Sequence, residues 1–330
     1  MSWAVLMLAA ASRLPGADAP AKAKEPEDLF SLGQRLFEDF APAEVKAQYE
    51  FPTRAQFDAF MVRLTVALEG DSLGELAAYV PQAKAALATL RAVPGQEDLA
   101  DWLEQRLDEM EVAEQVQRLT APRAPVRSPT PALGPKLPSA PAPQSPLPPA
   151  VSVSQPLGVP HYDLWLTRVR SRPLPARAPM LMPRLRAAFA AEGVPPELVW
   201  LAEAESSLNP DARSPAGAKG LFQFTAETAK AQGLSTFLPD ERTEVEKSAH
   251  AAARLLRSLH GRFGSWPLAF AAYNAGEGRV SRLLAARRAK DFAGIAEALP
   301  AETRMYVPKV CALIATRTGV GVEKLRVGRP

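Results

Sequence analysis

The sequence predicts an all-α protein made of two helical modules joined by a proline-rich tether, and three observations predict it. Apolar residues recur at three- and four-residue spacing through most of the chain, and no useful length alternates apolar and polar residues as a half-buried strand would. Residues 121–160 hold 13 of the 33 prolines and no acidic residue, so they cannot build a core and are expected to be extended. Charge also changes sign across that stretch. Residues 1–120 carry 11 basic against 20 acidic side chains, and residues 161–330 carry 25 against 16. The expected units are therefore an N-terminal leader (1–24), an acidic helical module (25–120), a linker (121–160) and a basic helical module (161–330).

The leader, MSWAVLMLAAASRLPGADAPA, has a short apolar run followed by small residues around Ala17 and Ala19, as in an export signal, although a basic start is missing. The run is shorter than the roughly 20 residues that span a bilayer, so no transmembrane anchor is expected. No cysteine follows it, so no lipid anchor is expected either. In the acidic module, Leu29, Leu32, Leu36, Phe37 and Phe40 stripe a first helix, and Phe57, Phe60, Met61, Leu64 and Leu68 a second. Asp71 and Ser72 are candidate caps for a third. Leu99, Trp102, Leu103, Leu107 and Met110 stripe a fourth. The acidity reads as solubility in preference to docking on the basic half. In the basic module, helices are expected near 162–170, 178–192, 196–208, 225–232, 243–260, 266–274, 277–288 and 302–316.

Composition narrows the chemistry. One cysteine, Cys311, excludes an intramolecular disulfide framework and a thiolate-rich zinc site. His161, His250 and His260 lack metal-ligand spacing, so no metal and no cofactor are expected. The basic half has charge but no nucleic-acid-binding motif, so no nucleic-acid partner is expected.

The stretch AEAESSLNP, residues 202–210, places two carboxylates two residues apart at the end of an apolar helix. With Leu198 at the origin and 100° per residue, Leu201, Ala202, Glu205 and Leu208 fall within about 80° of it, on one apolar stripe. Glu203 points to the other side and reads as solvated. Glu205 is the acid forced against an apolar surface. Burial disfavours the charged carboxylate and raises its pKa, which suits a general acid that must hold its proton until a leaving group takes it. The helical wheel alone leaves open a structural glutamate satisfied by backbone donors.

Further blocks follow in order: Ser214-Pro-Ala-Gly217-Ala-Lys-Gly220-Leu-Phe222-Gln223, then Ala272-Tyr273-Asn274-Ala-Gly276, then Glu302-Thr-Arg-Met-Tyr306-Val-Pro-Lys309. Glycines let a loop turn back close to a ligand. Serine, glutamine and asparagine can meet sugar hydroxyls and amides, and a tyrosine offers a ring face and a hydroxyl. Singly, each residue also reads as a cap, a helix end or core. Together with the Glu205 block they resemble the lytic transglycosylase SLT family, which is goose-lysozyme-like, and within it the membrane-bound lytic murein transglycosylase D type.

The resemblance spans about residues 160–320 and implies a lysozyme-like helical catalytic domain. It implies Glu205 as catalytic acid and base, and Ser214 near the reacting sugar. It implies Gln223 as a substrate hydrogen-bonder, and Tyr273 and Asn274 as groups that orient the acid and contact glycan. Glu302 would line the groove. Phe222 stands at a sugar-stacking position where the family usually has methionine or tryptophan. The implied partner is peptidoglycan, acted on by an exported monomer in the cell envelope. Most glycosidases use two carboxylates, but only Glu205 is both buried and motif-bound here. A single acid suffices if the C6 hydroxyl of N-acetylmuramic acid closes a 1,6-anhydro ring and water takes no part. The alternatives are a goose-type hydrolase and an inactive wall-binding scaffold. Members of the D type often carry small wall-binding modules after the catalytic domain, and this chain stops at Pro330, so targeting falls to the N-terminal module or to groove and charge.

Overall fold

A computed structural model describes residues 29–48, 50–56, 72–93, 97–120, 158–214 and 217–328. The leader, the 121–157 part of the linker and the Phe57–Leu68 stripe lie outside the described residues, as does Asp71. Among the described residues the fold is all-α, with only isolated bridges pairing Lys219 with Arg213 and Phe224.

The N-terminal module contributes α1 (Leu29–Phe40), α2 (Ala43–Gln48), α3 (Leu73–Ala77), α4 (Val80–Ala92) and α5 (Glu97–Thr120). Ser72 caps α3 by accepting from the Glu75 backbone N–H at 3.2 Å. The sequence did not single out α4, which is alanine-rich and has no strong stripe; it buries Ala83, Ala85, Ala86 and Leu90.

The basic half contributes α6 (Tyr162–Arg170), α7 (Ala178–Ala191), α8 (Leu201–Ser206), α9 (Ala226–Ala231), α10 (Val245–Phe263), α11 (Trp266–Ala275), α12 (Glu277–Arg287), α13 (Ala293–Ala296) and α14 (Ala301–Thr318). The centre is α14, buried at fourteen positions from Ala301 to Ala315. It packs against α5, α6, α8 and α11. It accommodates Pro308 in its interior, a residue that costs an isolated helix about 3 kcal/mol. Burial on every side offsets that loss.

Two sequence expectations need correction. The expected helix 196–208 is a 3-10 turn (Pro196–Trp200) followed by the six residues of α8. A 3-10 segment advances about 120° per residue, so a wheel drawn at 100° from Leu198 drifts. Moreover, α8 has no solvated face: Leu201, Ala202, Glu203, Ala204 and Ser206 are all buried. Glu203 is consequently not solvated. It forms a two-pronged ion pair with Arg317 near the end of α14, at 2.6 and 2.9 Å.

The second concerns acidity. Helix α5 packs on α3 and α4 and also on α8 and α14. Its acids meet basic partners across the module boundary: Asp108 takes Arg168 at 2.6 Å and also Arg172, Glu111 takes Arg168, and Glu109 takes Lys309 at 2.9 Å. Glu109 and Lys309 are both almost fully buried. The acidic face is a docking surface, whereas solubility alone would leave it in water.

Candidate active site

Glu205 occupies the last turn of α8, which ends at once because Ser207 and Leu208 adopt left-handed backbone, with φ of 51° and 60°. Ser206 ties this turn to the following loop by donating to the Ala202 and Leu221 carbonyls, at 3.1 and 2.9 Å. Gln105 of α5 braces it from the other side: with the amide nitrogen turned to the acceptors, it donates to the Ala204 and Glu205 carbonyls at 2.6 and 3.2 Å.

The Glu205 side chain is half-buried. Its Oε1 accepts a 2.5 Å hydrogen bond from the Tyr306 hydroxyl. Removal from water pushes its carboxyl up from an ordinary 4.5 to about 7. The Tyr306 O–H, Arg106 and Lys309 oppose the rise, and Glu302 adds to it. Burial and the neighbouring Glu205 hold the Tyr306 and Tyr273 hydroxyls well above the usual phenol range, so both remain protonated donors.

The loop after α8 depends on one glycine. Gly220 has φ of +80°, and a Cβ there would lie 1.9 Å from the Arg242 carbonyl oxygen. Arg242 is itself buried. It binds Asp240 with two nitrogens and donates to the Gly217 and Phe224 carbonyls at 3.0 and 3.3 Å. Together Arg242 and Lys219 hold Asp240 far below the usual carboxylate range. This inner strut fixes the loop that carries Ser214, Phe222 and Gln223.

The expected site residues divide by what their polar atoms do. Ser214 accepts from the Ala218 backbone N–H at 3.0 Å and closes its own turn. Gln223, in left-handed backbone at φ 47°, spends its amide N–H groups on the Gly220 and Ala212 carbonyls at 2.9 and 3.3 Å. Its oxygen is the end suited to a ligand N–H. Asn274 accepts from the Thr303 hydroxyl at 2.7 Å, so its NH₂ is the end suited to a ligand oxygen. Glu302 is half-buried and is held at 2.9 Å by Arg106 of α5.

Two roles shift. The Tyr273 hydroxyl donates to the Phe222 carbonyl at 2.7 Å, and it is Tyr306 that grips the acid. The Phe222 ring is fully buried and stacks on Phe189 at 5.8 Å, so it cannot lie against a sugar; only its carbonyl serves the site. Sequence reasoning missed Tyr306 although it stands in the quoted Glu302 block, four residues on and thus on the same helix face. Arg106 lies about a hundred residues from Glu205 in a module with no motif, and no sequence signal marked it. Among the described residues, no group of three or more His, Cys, Asp or Glu is arranged to hold a metal ion, and no helix is long and apolar enough to cross a membrane.

Residues 185–295 match the family model described as the transglycosylase SLT domain. The chain is 40% identical over 126 residues to the membrane-bound lytic murein transglycosylase D of Escherichia coli K12, covering 36% of this chain and 27% of that one. It is 36% identical over 120 residues to the soluble lytic murein transglycosylase of Salmonella typhimurium, covering 34% of this chain and 19% of that one. The chain therefore spans about a quarter or less of the length of these relatives. The 70 kDa soluble lytic transglycosylase of Escherichia coli aligns over 90% of this chain and 58% of its own, at 19% identity and a TM-score of 0.39.

Proposed function

We propose that the chain, through the transglycosylase SLT domain that residues 185–295 match, is a peptidoglycan lytic transglycosylase with Glu205 as its sole acid and base. The observation that carries this reading is a half-buried carboxyl with a pKa of about 7, hydrogen-bonded to a tyrosine that stays protonated. Near neutral pH such a group can give a proton and, once ionised, take one back.

Glu205 protonates the oxygen that links N-acetylmuramic acid to N-acetylglucosamine as the glycosidic C–O bond breaks. The acetamido oxygen of the substrate stabilises the oxocarbenium-like centre. The ionised Glu205, held in place by the Tyr306 O–H, then removes the C6 hydroxyl proton as that oxygen bonds to C1. The proton count closes, and no water is consumed. The other carboxylate that Glu205 senses, Glu302, is tied to Arg106. This commitment favours an internal nucleophile over a second acid acting on water. Gln223 and Asn274 offer an acceptor and a donor to the N-acetyl groups and hydroxyls, and we assign Ser214 and Glu302 to the wall along which the glycan would lie. The net positive charge of the whole chain, +3, favours a polyanionic wall polymer, an attraction that salt weakens. We place the protein, as a monomer of lysozyme-like fold, in the cell envelope.

Purified sacculi digested with the chain and analysed by mass spectrometry test this reading. The expected products end in 1,6-anhydro-N-acetylmuramic acid, one water lighter than hydrolysed ends. Reducing ends alone would establish a hydrolase, and no cleavage by a folded protein would leave a wall-binding scaffold.

A further inference from the structure

We propose that Arg106, carried in by α5 of the N-terminal module, is a positioning residue of the catalytic centre: it holds Glu302 in place and makes that module a working part of the site. The inference rests on the transglycosylase reading of Glu205 but concerns a residue outside the matched segment 185–295.

The geometry is that of a clamp. One terminal nitrogen of Arg106 contacts Glu302 at 2.9 Å, and the other contacts Glu109 at 3.2 Å. The guanidinium carbon lies 5.8 Å from the Trp102 ring centroid, which restricts its swing. Glu109 is in turn locked by the buried Lys309, whose ammonium also lies 5.7 Å over Trp165. The row Glu302–Arg106–Glu109–Lys309 thus alternates in sign and crosses twice between α14 and α5. Because α14 also supplies Tyr306, the row fixes the helix that holds the acid. Planar, two-pronged contact of this kind suits arginine and not lysine. Against the burial that would depress it, Glu302 and Glu109 keep the guanidinium charged.

The charged and titratable groups around Glu205 are Tyr306, Lys309 and Glu302 from α14, Arg106 from α5 and Tyr273 from α11. Glu302 makes ionisation of Glu205 harder, and Arg106 cancels that effect. Loss of the Arg106 charge therefore leaves Glu205 facing an uncompensated anion.

The test measures the pH profile of kcat/KM for sacculus cleavage in full-length wild type, Arg106→Gln, Arg106→Lys, Glu302→Gln and the Arg106→Gln/Glu302→Gln double variant. An activity-independent readout runs beside it: the change with pH in melting temperature between each protein and its Glu205→Gln derivative. Arg106→Gln is expected to move the basic limb up by roughly half to one pH unit, the size of effect a neighbouring charge exerts. Glu302→Gln should move it down, and the double variant should return toward wild type. Arg106→Lys should keep the limb while losing part of kcat. A limb that stays fixed in Arg106→Gln and in Glu302→Gln, with only melting temperature or overall rate reduced, overturns the proposal in favour of a purely structural arginine. If Arg106→Gln does not fold, the downward shift in Glu302→Gln carries the decision alone. A protein with no lytic activity defeats the functional reading, and the melting-temperature comparison still decides the role of Arg106.

Discussion

In the proposed mechanism two opposing demands meet on the Glu205 carboxyl, which would have to keep a proton at neutral pH and yet survive as an anion midway through turnover. Burial meets the first, and the Tyr306 O–H meets the second. Glu205→Gln is expected to lower kcat/KM by about 10²–10⁴-fold, the usual contribution of a general acid. The same substitution should also stabilise the fold. In the native state the proton is held up to about pH 7, against 4.5 in the unfolded chain. The native state therefore binds more protons in that window, and wild-type stability falls as pH rises through it. The glutamine form has no proton to lose. The gap should be near zero below pH 4.5, open between 4.5 and 7, and level off at on the order of 1–3 kcal/mol above; denaturant melts at pH 4, 6 and 8 check it. Tyr306→Phe removes a donor to the ionised form, so the basic limb should move to higher pH with a rate loss of about 10–100-fold. Glu205 was singled out by the sequence blocks that surround it; the helical wheel alone did not correctly separate it from Glu203, the more deeply buried of the two. Tyr306 was not singled out, because a tyrosine in an apolar helix is indistinguishable from core until its hydroxyl is located.

Helix boundaries in the basic half followed from periodicity, and α7, α10, α11 and α12 lie close to the expected segments. The segment carrying the acid was the exception, because 3-10 winding over Pro196–Trp200 breaks the 100° rule on which any helical wheel depends. The loop after α8 was legible as glycine-dependent, but the reason for the dependence lies in Arg242, whose carbonyl fills the space where a Cβ would go. Gly220→Ala therefore combines a left-handed backbone with a backbone clash. It should cost more than about 2 kcal/mol and abolish cleavage, whereas a merely permissive glycine would lose no more than about 1 kcal/mol. Urea denaturation together with sacculus turnover distinguishes these outcomes.

Among the described residues the two modules are joined by ion pairs as well as by apolar surface. Net charge alone, negative before the linker and positive after it, was read as two independent surfaces, because sequence gives the sign of a face and not its neighbour. The structure sets Asp108, Glu109 and Glu111 against Arg168, Arg172 and Lys309. The buried Glu109–Lys309 pair is the joint most sensitive to mutation. Glu109→Gln should cost about 3–5 kcal/mol, because it strands a cation in the interior, whereas Glu109→Leu/Lys309→Met together should recover most of the loss. Equal penalties for the single and the double change would mean that the pair does not hold the modules together.

The most direct test of the account is the titration of the Glu205 side-chain carboxyl by carbon-13 NMR in the full-length protein, assigned by the signal lost in Glu205→Gln. The account predicts an apparent pKa near 7, matched by the basic limb of the cleavage profile. A Glu205 carboxyl that titrates at or below the ordinary 4.5 would contradict it, because the acid would then be ionised at working pH and have no proton to give.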